Sequence, residues 1–199
     1  MSPRKNPYAK PDRFTIAAKR AGFPARSVFK LEEIDRRARL LRGGMRVLDL
    51  GAAPGSWALY AASHIGPAGK LLAVDLEPLR AALPPNAVFV RGDALSLADG
   101  DLDRFAPYDV VLSDMAPNTT GSRVTDQSRS YELFMRALAI ATTLGAPGSS
   151  FVGKIFMSDD LRAARSEVRR LYDSERLIRP EAARAPSMEI FALGTGKRA

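Results

Sequence analysis

Three ionisable residues lie inside or directly after otherwise apolar stretches. Lys154 is in the middle of SSFVGKIFMSDD, Glu189 lies within RAPSMEIFALG, and Asp114 follows the apolar run of YDVVLSDMAPNTTG. A charged side chain is costly in such surroundings unless it reaches a cleft or has a partner of opposite charge. Two interpretations of Lys154 and Glu189 therefore stay open: groups that handle protons and charge at a reaction site, or a buried structural ion pair.

The run VLDLGAAPGSW, residues 47–57, passes from a strand pattern into a turn with few side chains. Gly51 and Gly55 allow the backbone to approach a ligand closely, and a helix starting near Ser56 offers free N–H groups at its positive end. The G-x-x-x-G spacing is neither the G-x-G-x-x-G of dinucleotide-binding folds nor a phosphate-binding loop. A nucleotide-like cofactor fits this turn, and a tight turn without a ligand is the alternative.

Two further acids follow apolar runs in the same part of the chain. Asp75 ends KLLAVD and Asp93 follows VFVRG. An acid about 20 residues beyond a glycine turn can accept hydrogen bonds from the ribose hydroxyls of a nucleotide, and Asp93 is placed to meet an adenine edge. Together with the glycine turn, they favour an adenosine-containing cofactor without a pyrophosphate. S-adenosylmethionine (SAM) fits this description better than NAD does.

The elements that must position these residues alternate between strand and helix patterns. The predicted strands are 45–50, 70–75, 87–91, 108–113, 149–156, 174–179 and 187–193. The predicted helices between them are 56–65, 78–82, 95–104, 128–144 and 160–172. This alternation predicts an α/β fold with a mostly parallel sheet covered by helices on both faces. Only the segment PEAARAP separates the last two strands, so these should pair antiparallel.

The excess positive charge of the chain lies in its first quarter. Residues 1–46 contain 13 Lys or Arg and 4 Asp or Glu, whereas the net charge of the whole chain is +8. We predict a basic arm over residues 1–25 and a second domain over 26–199, which starts with a helix at 26–42 capped by Ser27. Such asymmetry favours a polyanion as the partner, most simply nucleic acid, and a merely solubilising basic tail is the alternative. Aromatic residues that could stack on bases interleave these cations: Tyr8, Phe14, Phe23 and Phe29.

The composition disfavours several classes of protein: disulfide-rich, metal-binding, membrane-spanning and secreted proteins. The chain of 199 residues has no cysteine and one histidine, so neither disulfides nor a transition-metal site is expected. No apolar run is long enough to cross a membrane and the first residues do not resemble a signal peptide, so we expect a cytoplasmic protein. Nothing in the sequence indicates an assembly larger than a monomer.

The segments LDLGAAPGSW, AVDLEP, GDA, SDMAPNTTG, FVGKIF and RAPSMEIF, together with ARSVFKLEEID upstream, resemble the FtsJ/RrmJ-type RNA 2′-O-ribose methyltransferases. The resemblance covers residues 20–197. It implies a Rossmann-like, SAM-dependent methyltransferase fold with seven strands, of which the last is antiparallel. One departure is visible, because bacterial members usually have Gly-Gly-Trp where this chain has Gly55-Ser56-Trp57.

The resemblance also implies the site residues. Its catalytic set corresponds to Lys30, Asp114, Lys154 and Glu189. The residues that it implies for the cofactor are Gly55, Trp57, Asp75, Asp93 and Asp114, and the glycine turn adds Gly51. We expect Lys154 to accept the proton of a ribose 2′-hydroxyl with Asp114 orienting it, while Lys30 and Glu189 position the hydroxyl and tune the local charge. The alternative is that Lys154 stabilises the developing alkoxide as a cation, and the sequence does not distinguish the two roles.

The resemblance implies a uridine of 23S ribosomal RNA in the large subunit as the substrate. A tRNA anticodon loop is the alternative substrate, because close relatives modify it. A catalytically silent RNA-binding protein and an NAD-dependent oxidoreductase are alternatives of other classes. The presence of both Lys154 and Asp114 disfavours the first, and the absence of G-x-G-x-x-G disfavours the second.

Overall fold

A computed structural model describes residues 12–97, 99–184 and 187–199. Its helices are α1 (Arg13–Arg20), α2 (Val28–Ala38), α3 (Ser56–Ile65), α4 (Asp99–Leu102), α5 (Arg123–Leu144) and α6 (Leu161–Leu171). Its strands are β1 (Arg46–Leu50), β2 (Lys70–Asp75), β3 (Ala87–Arg91), β4 (Tyr108–Ser113), β5 (Gly145–Phe156), β6 (Tyr172–Ile178) and β7 (Glu189–Lys197). Every predicted strand is present, with ends that differ by up to four residues.

The seven strands form one sheet in the order β3-β2-β1-β4-β5-β7-β6. Strands β1 to β5 pair parallel with one another, whereas β7 pairs antiparallel with both β5 and β6. The predicted antiparallel pairing of the last two strands is therefore confirmed. Because β7 runs against β5, its first residue, Glu189, lies opposite Phe156 at the edge where the parallel strands end.

Two hydrophobic layers cover the two faces of the sheet. Neighbouring strand residues alternate between them, so that Val47 packs with α2 and α3 while Leu48 packs with α5 and α6. Both residues are fully buried. This alternation is the expected result of a strand whose successive side chains point to opposite faces. The sheet thereby becomes a rigid support for the loops at its carboxyl edge.

The first described segment forms a helix, α1, that the sequence pattern did not reveal. Asp12 caps it by accepting a hydrogen bond from the Thr15 backbone N–H at 2.9 Å. The Phe14 ring packs against Phe29 of α2, with 5.7 Å between ring centroids. The predicted basic arm over residues 1–25 is thus helical in part, and its residues 1–11 lie outside the described residues.

Helix α2 is shorter than the predicted helix at 26–42. Ser27 precedes it, but its side chain makes no capping hydrogen bond. The helix ends before Gly43 because Arg39 adopts a left-handed conformation, and Asp35 accepts hydrogen bonds from the backbone N–H groups of Leu40 and Leu41. Asp35 therefore stabilises the end of the helix four residues before the predicted boundary of 42.

One predicted helix, at 78–82, is absent, and another, at 95–104, is shorter than predicted. Residues 78–82 form no helix, because the Arg80 N–H donates to the Pro54 carbonyl and ties this segment to the glycine turn. Of the predicted helix 95–104 only α4 is helical, since the N–H groups of Ser96 and Leu97 both donate to the Asp93 carbonyl and close a turn. Helix α5 in contrast starts five residues before its predicted boundary of 128.

No helix among the described residues is long and apolar enough to cross a membrane. The described residues also contain no cluster of three or more His, Cys, Asp or Glu side chains arranged to hold a metal ion.

Candidate active site

A cleft of about 1010 Å³ opens at the carboxyl edge of the parallel strands. Its walls come from the turns after β1, β2, β3 and β4, from the start of α2, and from the segment that leads into β7. Of the predicted site residues, it is lined by Lys30, Gly51, Asp75, Asp93, Asp114, Lys154 and Glu189. Residues far apart in the sequence, from α2 to β7, therefore face one cavity.

The glycine turn uses its own N–H groups inside the protein. Those of Gly51 and Ala52 donate to the Val74 carbonyl, and that of Gly55 donates to the Ala52 carbonyl. The first N–H groups of α3 have no acceptor within the helix and form its positive end. This arrangement cannot cradle a pyrophosphate in the glycine turn itself, in agreement with the predicted type of cofactor.

Gly51 and Gly55 serve different purposes in this turn. At Gly51, with φ +77°, an added Cβ would lie 2.8 Å from the backbone nitrogen of Met115, so the close approach comes from the protein rather than from a ligand. At Gly55, with φ +112°, an added Cβ would lie 3.8 Å from Leu79 and meet no clash. The backbone conformation alone requires glycine there.

Asp75 joins the glycine turn to the end of β2. Its Oδ2 accepts a hydrogen bond from the Ala53 N–H at 2.8 Å, and its Oδ1 accepts one from the Glu77 N–H at 2.8 Å. Asp93, after β3, accepts a hydrogen bond from the Leu95 N–H at 2.9 Å. Both carboxylates are thus held in fixed orientations at the cleft by neighbouring backbone.

The predicted contribution of Trp57 to the cofactor site takes a different form, and the neighbouring Ser56 side chain also points away from the cleft. The Trp57 ring is buried in the core, where its Nε1–H donates to the Ser27 carbonyl at 2.8 Å and the ring packs against Phe191, so it does not line the cleft. Ser56 does not cap α3: its Oγ accepts from the Ala25 N–H at 2.8 Å and donates to the Ala25 carbonyl at 3.0 Å. Both side chains hold the start of α2 against α3.

Lys154 and Asp114 form an ion pair in the wall of the cleft. The lysine Nζ lies 2.9 Å from Asp114 Oδ1 and donates to the Asp114 backbone carbonyl at 2.5 Å. Only 6% of the Lys154 side chain and 16% of the Asp114 side chain are exposed. The Asp114 N–H donates to the Leu50 carbonyl, which fixes this residue beside the glycine turn.

Lys30 and Glu189 form a second ion pair in the same cleft. The Lys30 Nζ lies 2.7 Å from Glu189 Oε1, and each side chain is 12% exposed. The ammonium group also lies 5.8 Å from the centre of the Phe191 ring. Lys30 comes from α2 and Glu189 from the start of β7, so this pair closes the cleft on the side opposite the cofactor strands.

The two pairs form one electrostatic cluster. Burial by itself would raise the pKa of Asp114, but the ammonium groups of Lys154 and Lys30 outweigh it and hold this pKa below its ordinary value. Lys30 therefore acts on the carboxylate of the other pair. The pKa of Asp49, under the glycine turn, is in contrast raised well above its ordinary value, first by burial and then by Asp114 and Asp75.

Several residues at the cleft were not predicted from the sequence. Arg26, Arg129 and Arg184 line it, and Asp49 lies beneath it with both carboxylate oxygens lacking a hydrogen-bond partner among the described residues. A signal for Asp49 was available, because it is an acid within an apolar strand, as Glu189 is. The arginines do not lie within apolar strand patterns, so nothing in their sequence surroundings marks them as unusual.

Comparison with known proteins identifies similar chains. The model of the FtsJ-like methyltransferase family matches residues 23–197. A ribosomal RNA large subunit methyltransferase E from Sorangium cellulosum is 66% identical over 195 residues, which cover 98% of this chain and 92% of the relative. One of the same name from Oleidesulfovibrio alaskensis is 46% identical over 188 residues, which cover 93% of this chain and 91% of the relative.

Solved structures share the fold at low sequence identity. A Plasmodium falciparum protein assigned as a ribosomal RNA methyltransferase superposes with a TM-score of 0.76 at 19% identity, covering 88% of this chain and 98% of that one. The O-methyltransferase TomG from Streptomyces achromogenes, in complex with SAM, superposes with a TM-score of 0.58 at 19% identity, covering 94% of this chain and 91% of that one.

Proposed function

The chain belongs to the FtsJ-like methyltransferase family, and we propose that it transfers the methyl group of SAM to the ribose 2′-hydroxyl of a uridine in 23S ribosomal RNA. The observation that carries this proposal is the pairing of Lys30 with Glu189 and of Lys154 with Asp114 in one cleft, next to the carboxyl ends of β1 and β2. The names of the curated relatives supply the large-subunit ribosomal RNA.

SAM is the methyl donor of this family, and the residues present fit it. We assign the ribose hydroxyls to Asp75, the adenine edge to Asp93, and the amino-acid end to the region of Gly51, Gly55 and Asp114. Trp57 would contribute through its backbone at the start of α3, because its ring is buried. When bound, SAM supplies an electrophilic methyl group next to a positively charged sulfur.

The chain's own residues manage the hydroxyl that attacks this methyl group. A ribose 2′-hydroxyl is a weak acid, so its proton must be removed as the new bond forms. We assign Lys154 as the acceptor of that proton and Asp114 as the residue that orients it, at 2.9 Å. An amine can accept this proton only in its neutral form, so a transfer rate that rises with pH is the expected signature of this role.

Lys30 and Glu189 are assigned to the position of the hydroxyl. Their 2.7 Å ion pair leaves donor and acceptor capacity toward the cleft, since an ammonium has three protons and a carboxylate has two oxygens. A ribose bound between them is held at a fixed angle to the methyl group. In-line transfer needs such positioning more than it needs a covalent intermediate.

The basic N-terminal quarter is proposed to bind the RNA backbone, through residues 1–11 and the exposed cations of α1, which include Lys19 and Arg20. Base stacking on Phe23 and Phe29 is not part of this proposal, because both pack against the core. We further propose that the protein acts as a monomer in the cytoplasm.

The experiment that tests this function is the transfer of tritium from labelled SAM to three substrates. These are large ribosomal subunits without the modification, the free 23S ribosomal RNA transcript, and bulk tRNA. We expect incorporation of about one methyl group per subunit or 23S molecule and none above background into tRNA. Incorporation into tRNA alone would replace ribosomal RNA by the alternative substrate.

A further inference from the structure

Two arginines and one aspartate form a charged cluster at the mouth of the cleft. Arg26 and Arg184 both line the cleft, which also contains Lys30 and Glu189. The Arg26 Nη1 is paired with Asp12 Oδ2, and the Arg184 Nε lies 4.0 Å from the same oxygen. One carboxylate of the protein is therefore shared by two guanidinium groups. We call these three residues the mouth cluster.

Arg26 is held firmly in this cluster. Its Nη2 donates to the Ala182 carbonyl at 2.5 Å, and its guanidinium carbon lies 5.2 Å from the centre of the Phe14 ring. Only 14% of its side chain is exposed. Burial and the neighbouring charge of Arg184 lower the pKa of Arg26, against the influence of Glu189. The Asp12 carboxylate, which contacts both arginines, offsets their mutual repulsion.

The Asp12 carboxylate can readily be replaced by another anion. Asp12 is 38% exposed, and its other oxygen, Oδ1, is used by the backbone N–H and the hydroxyl of Thr15 at the start of α1. Only the carboxylate side of this pair faces solvent, and ion pairs that water can reach contribute little net stability. Another anion with several oxygens can therefore displace Asp12 Oδ2 without unfolding its surroundings.

The position of the mouth cluster indicates which anion that is. Arg26 lies four residues before Lys30, and Arg184 lies five residues before Glu189. The two segments that carry the proposed ribose-positioning pair thus also carry the two arginines. In RNA, each ribose is flanked by phosphates, and the fork of a guanidinium matches phosphate oxygens.

We propose that Arg26 and Arg184 bind a backbone phosphate next to the methylated ribose, and that Asp12 occupies this position until RNA arrives. This inference rests on the proposed function, because it takes RNA as the substrate. The need to displace Asp12 weakens RNA binding, whereas in the free protein the same carboxylate holds the two arginines near each other.

Asp12→Asn tests this proposal, since asparagine is an equally good helix cap but carries no charge. The probe is an unmodified 23S ribosomal RNA transcript, and the readout is its dissociation constant by filter binding over a range of salt concentrations. We expect about two- to fivefold tighter binding at low salt, the size of an exposed ion pair. The slope of log K against log salt should stay close to that of the unaltered protein, because the two arginines bind the same phosphate in both complexes.

Asp173→Asn is the matched control. Asp173 pairs with Arg198 at 3.2 Å, also on the surface, but at the opposite edge of the sheet. Asp173→Asn removes the same charge as Asp12→Asn does, so an effect of net charge alone would appear equally in both variants. Arg184→Gln should weaken RNA binding and reduce the salt slope by about one, and in that background Asp12→Asn should have no further effect.

Three results would overturn the proposal: Asp12→Asn binds RNA no more tightly than Asp173→Asn does, its gain persists in Arg184→Gln, or Arg184→Gln leaves the slope unchanged. Thermal melting and SAM affinity of each variant report folding, and Asp12→Ser repeats the test with a different cap. Failure of the proposed function is distinguishable, because the unaltered protein would then methylate no ribosomal RNA.

Discussion

The two halves of the cleft are built in different ways. On the cofactor side, each fixed carboxylate is held by nearby chain: Asp93 binds a backbone group 2 residues away, and Asp75 binds groups 2 and 22 residues away. On the catalytic side, contacts join distant segments, such as Arg26 with the Ala182 carbonyl, 156 residues apart. The cofactor side therefore depends on local turns, whereas the catalytic side depends on the complete sheet.

This difference separates binding from chemistry. The cofactor side presents backbone groups and acids oriented by backbone, which suits the recognition of a neutral nucleoside. The catalytic side presents two ion pairs with little exposure, which suits proton transfer and orientation. Substitutions on the first side should change the affinity for SAM, and those on the second should change the transfer rate.

The largest effect is expected for Lys154→Ala. Loss of the proton acceptor should reduce the single-turnover rate of methyl transfer by about 10²- to 10⁴-fold. Calorimetry should find the affinity for SAM within a few-fold of the unaltered protein. Lys70→Ala is the matched control, since Lys70 is an exposed strand lysine at the opposite edge of the sheet. A variant that keeps most of its turnover would remove Lys154 from its role.

Lys154→Arg sharpens the same assignment, because arginine keeps the positive charge but does not release a proton in this pH range. We expect it to be nearly as inactive as the alanine variant and to lose the rise of rate with pH. Substantial activity would mean that the charge at this position stabilises the developing alkoxide and that the proton leaves by another route.

Asp75→Asn should produce the next largest effect, on the other side of the cleft. Hydrogen bonds to a charged group contribute about 1.5–3 kcal/mol, so we expect SAM to bind about 10- to 150-fold more weakly. The transfer rate at saturating SAM should change little. Asp109→Asn is the control, because Asp109 also accepts a backbone N–H, from Arg46, but far from the cleft. A reduced rate with unchanged affinity would contradict the division between the two sides.

A smaller effect should appear as coupling between Lys30 and Glu189. Lys30→Met, Glu189→Gln and the double variant form a cycle, read as kcat/KM for ribosomal RNA. Because each single change leaves the other member of a 2.7 Å pair without its partner, the double variant should be less impaired than the two losses multiplied. The coupling should be about 0.5–3 kcal/mol. Strict additivity would mean that the two residues act separately.

The pH dependence of stability should differ in sign between two acids. Burial raises the pKa of Asp49, so its contribution to the free energy of unfolding falls as pH rises above its unfolded pKa of about 4. The lysines lower the pKa of Asp114 despite its burial, so its contribution is present above that pH and is lost as pH falls through the folded pKa.

As pH rises from 5 to 8, the melting temperature of Asp49→Asn should therefore increase relative to that of the unaltered protein. The expected shift is about 2–4 °C for each kcal/mol by which the difference in free energy of unfolding changes. Asp114→Asn should show no such gain and be less stable throughout that range. Melting curves at three pH values provide the measurement. An Asp49→Asn difference that shrinks with increasing pH would mean that the carboxylate is stabilised in the fold.

The contrast between the two sides also explains what could be predicted from the sequence. The seven strands follow from apolar runs, and the acids after β2 and β3 follow from their position at strand ends. The segment 78–82 was wrongly predicted as a helix because its helical pattern says nothing of the Arg80–Pro54 contact. Helix α1 was missed because its packing partner, Phe29, belongs to another element.

The residues of the catalytic side could not all be predicted from the pattern of apolar and charged residues. Lys154 and Glu189 are anomalous within apolar strands, so their importance could be seen, but their partners could not. The spacing alone suggested that they could pair with each other. In the fold, β5 and β7 lie side by side, yet Lys154 pairs with Asp114 and Glu189 with Lys30. Only the resemblance to a family pointed to Lys30.

The most direct test of the account is the position of the new methyl group. A methyl group on the ribose 2′-oxygen removes the nucleophile that alkali uses to cleave the adjacent phosphodiester bond. After transfer from labelled SAM to 23S ribosomal RNA, complete alkaline hydrolysis should leave the label in a dinucleotide whose 5′ residue is uridine. Label recovered in a mononucleotide would place the methyl group on a base and contradict the account.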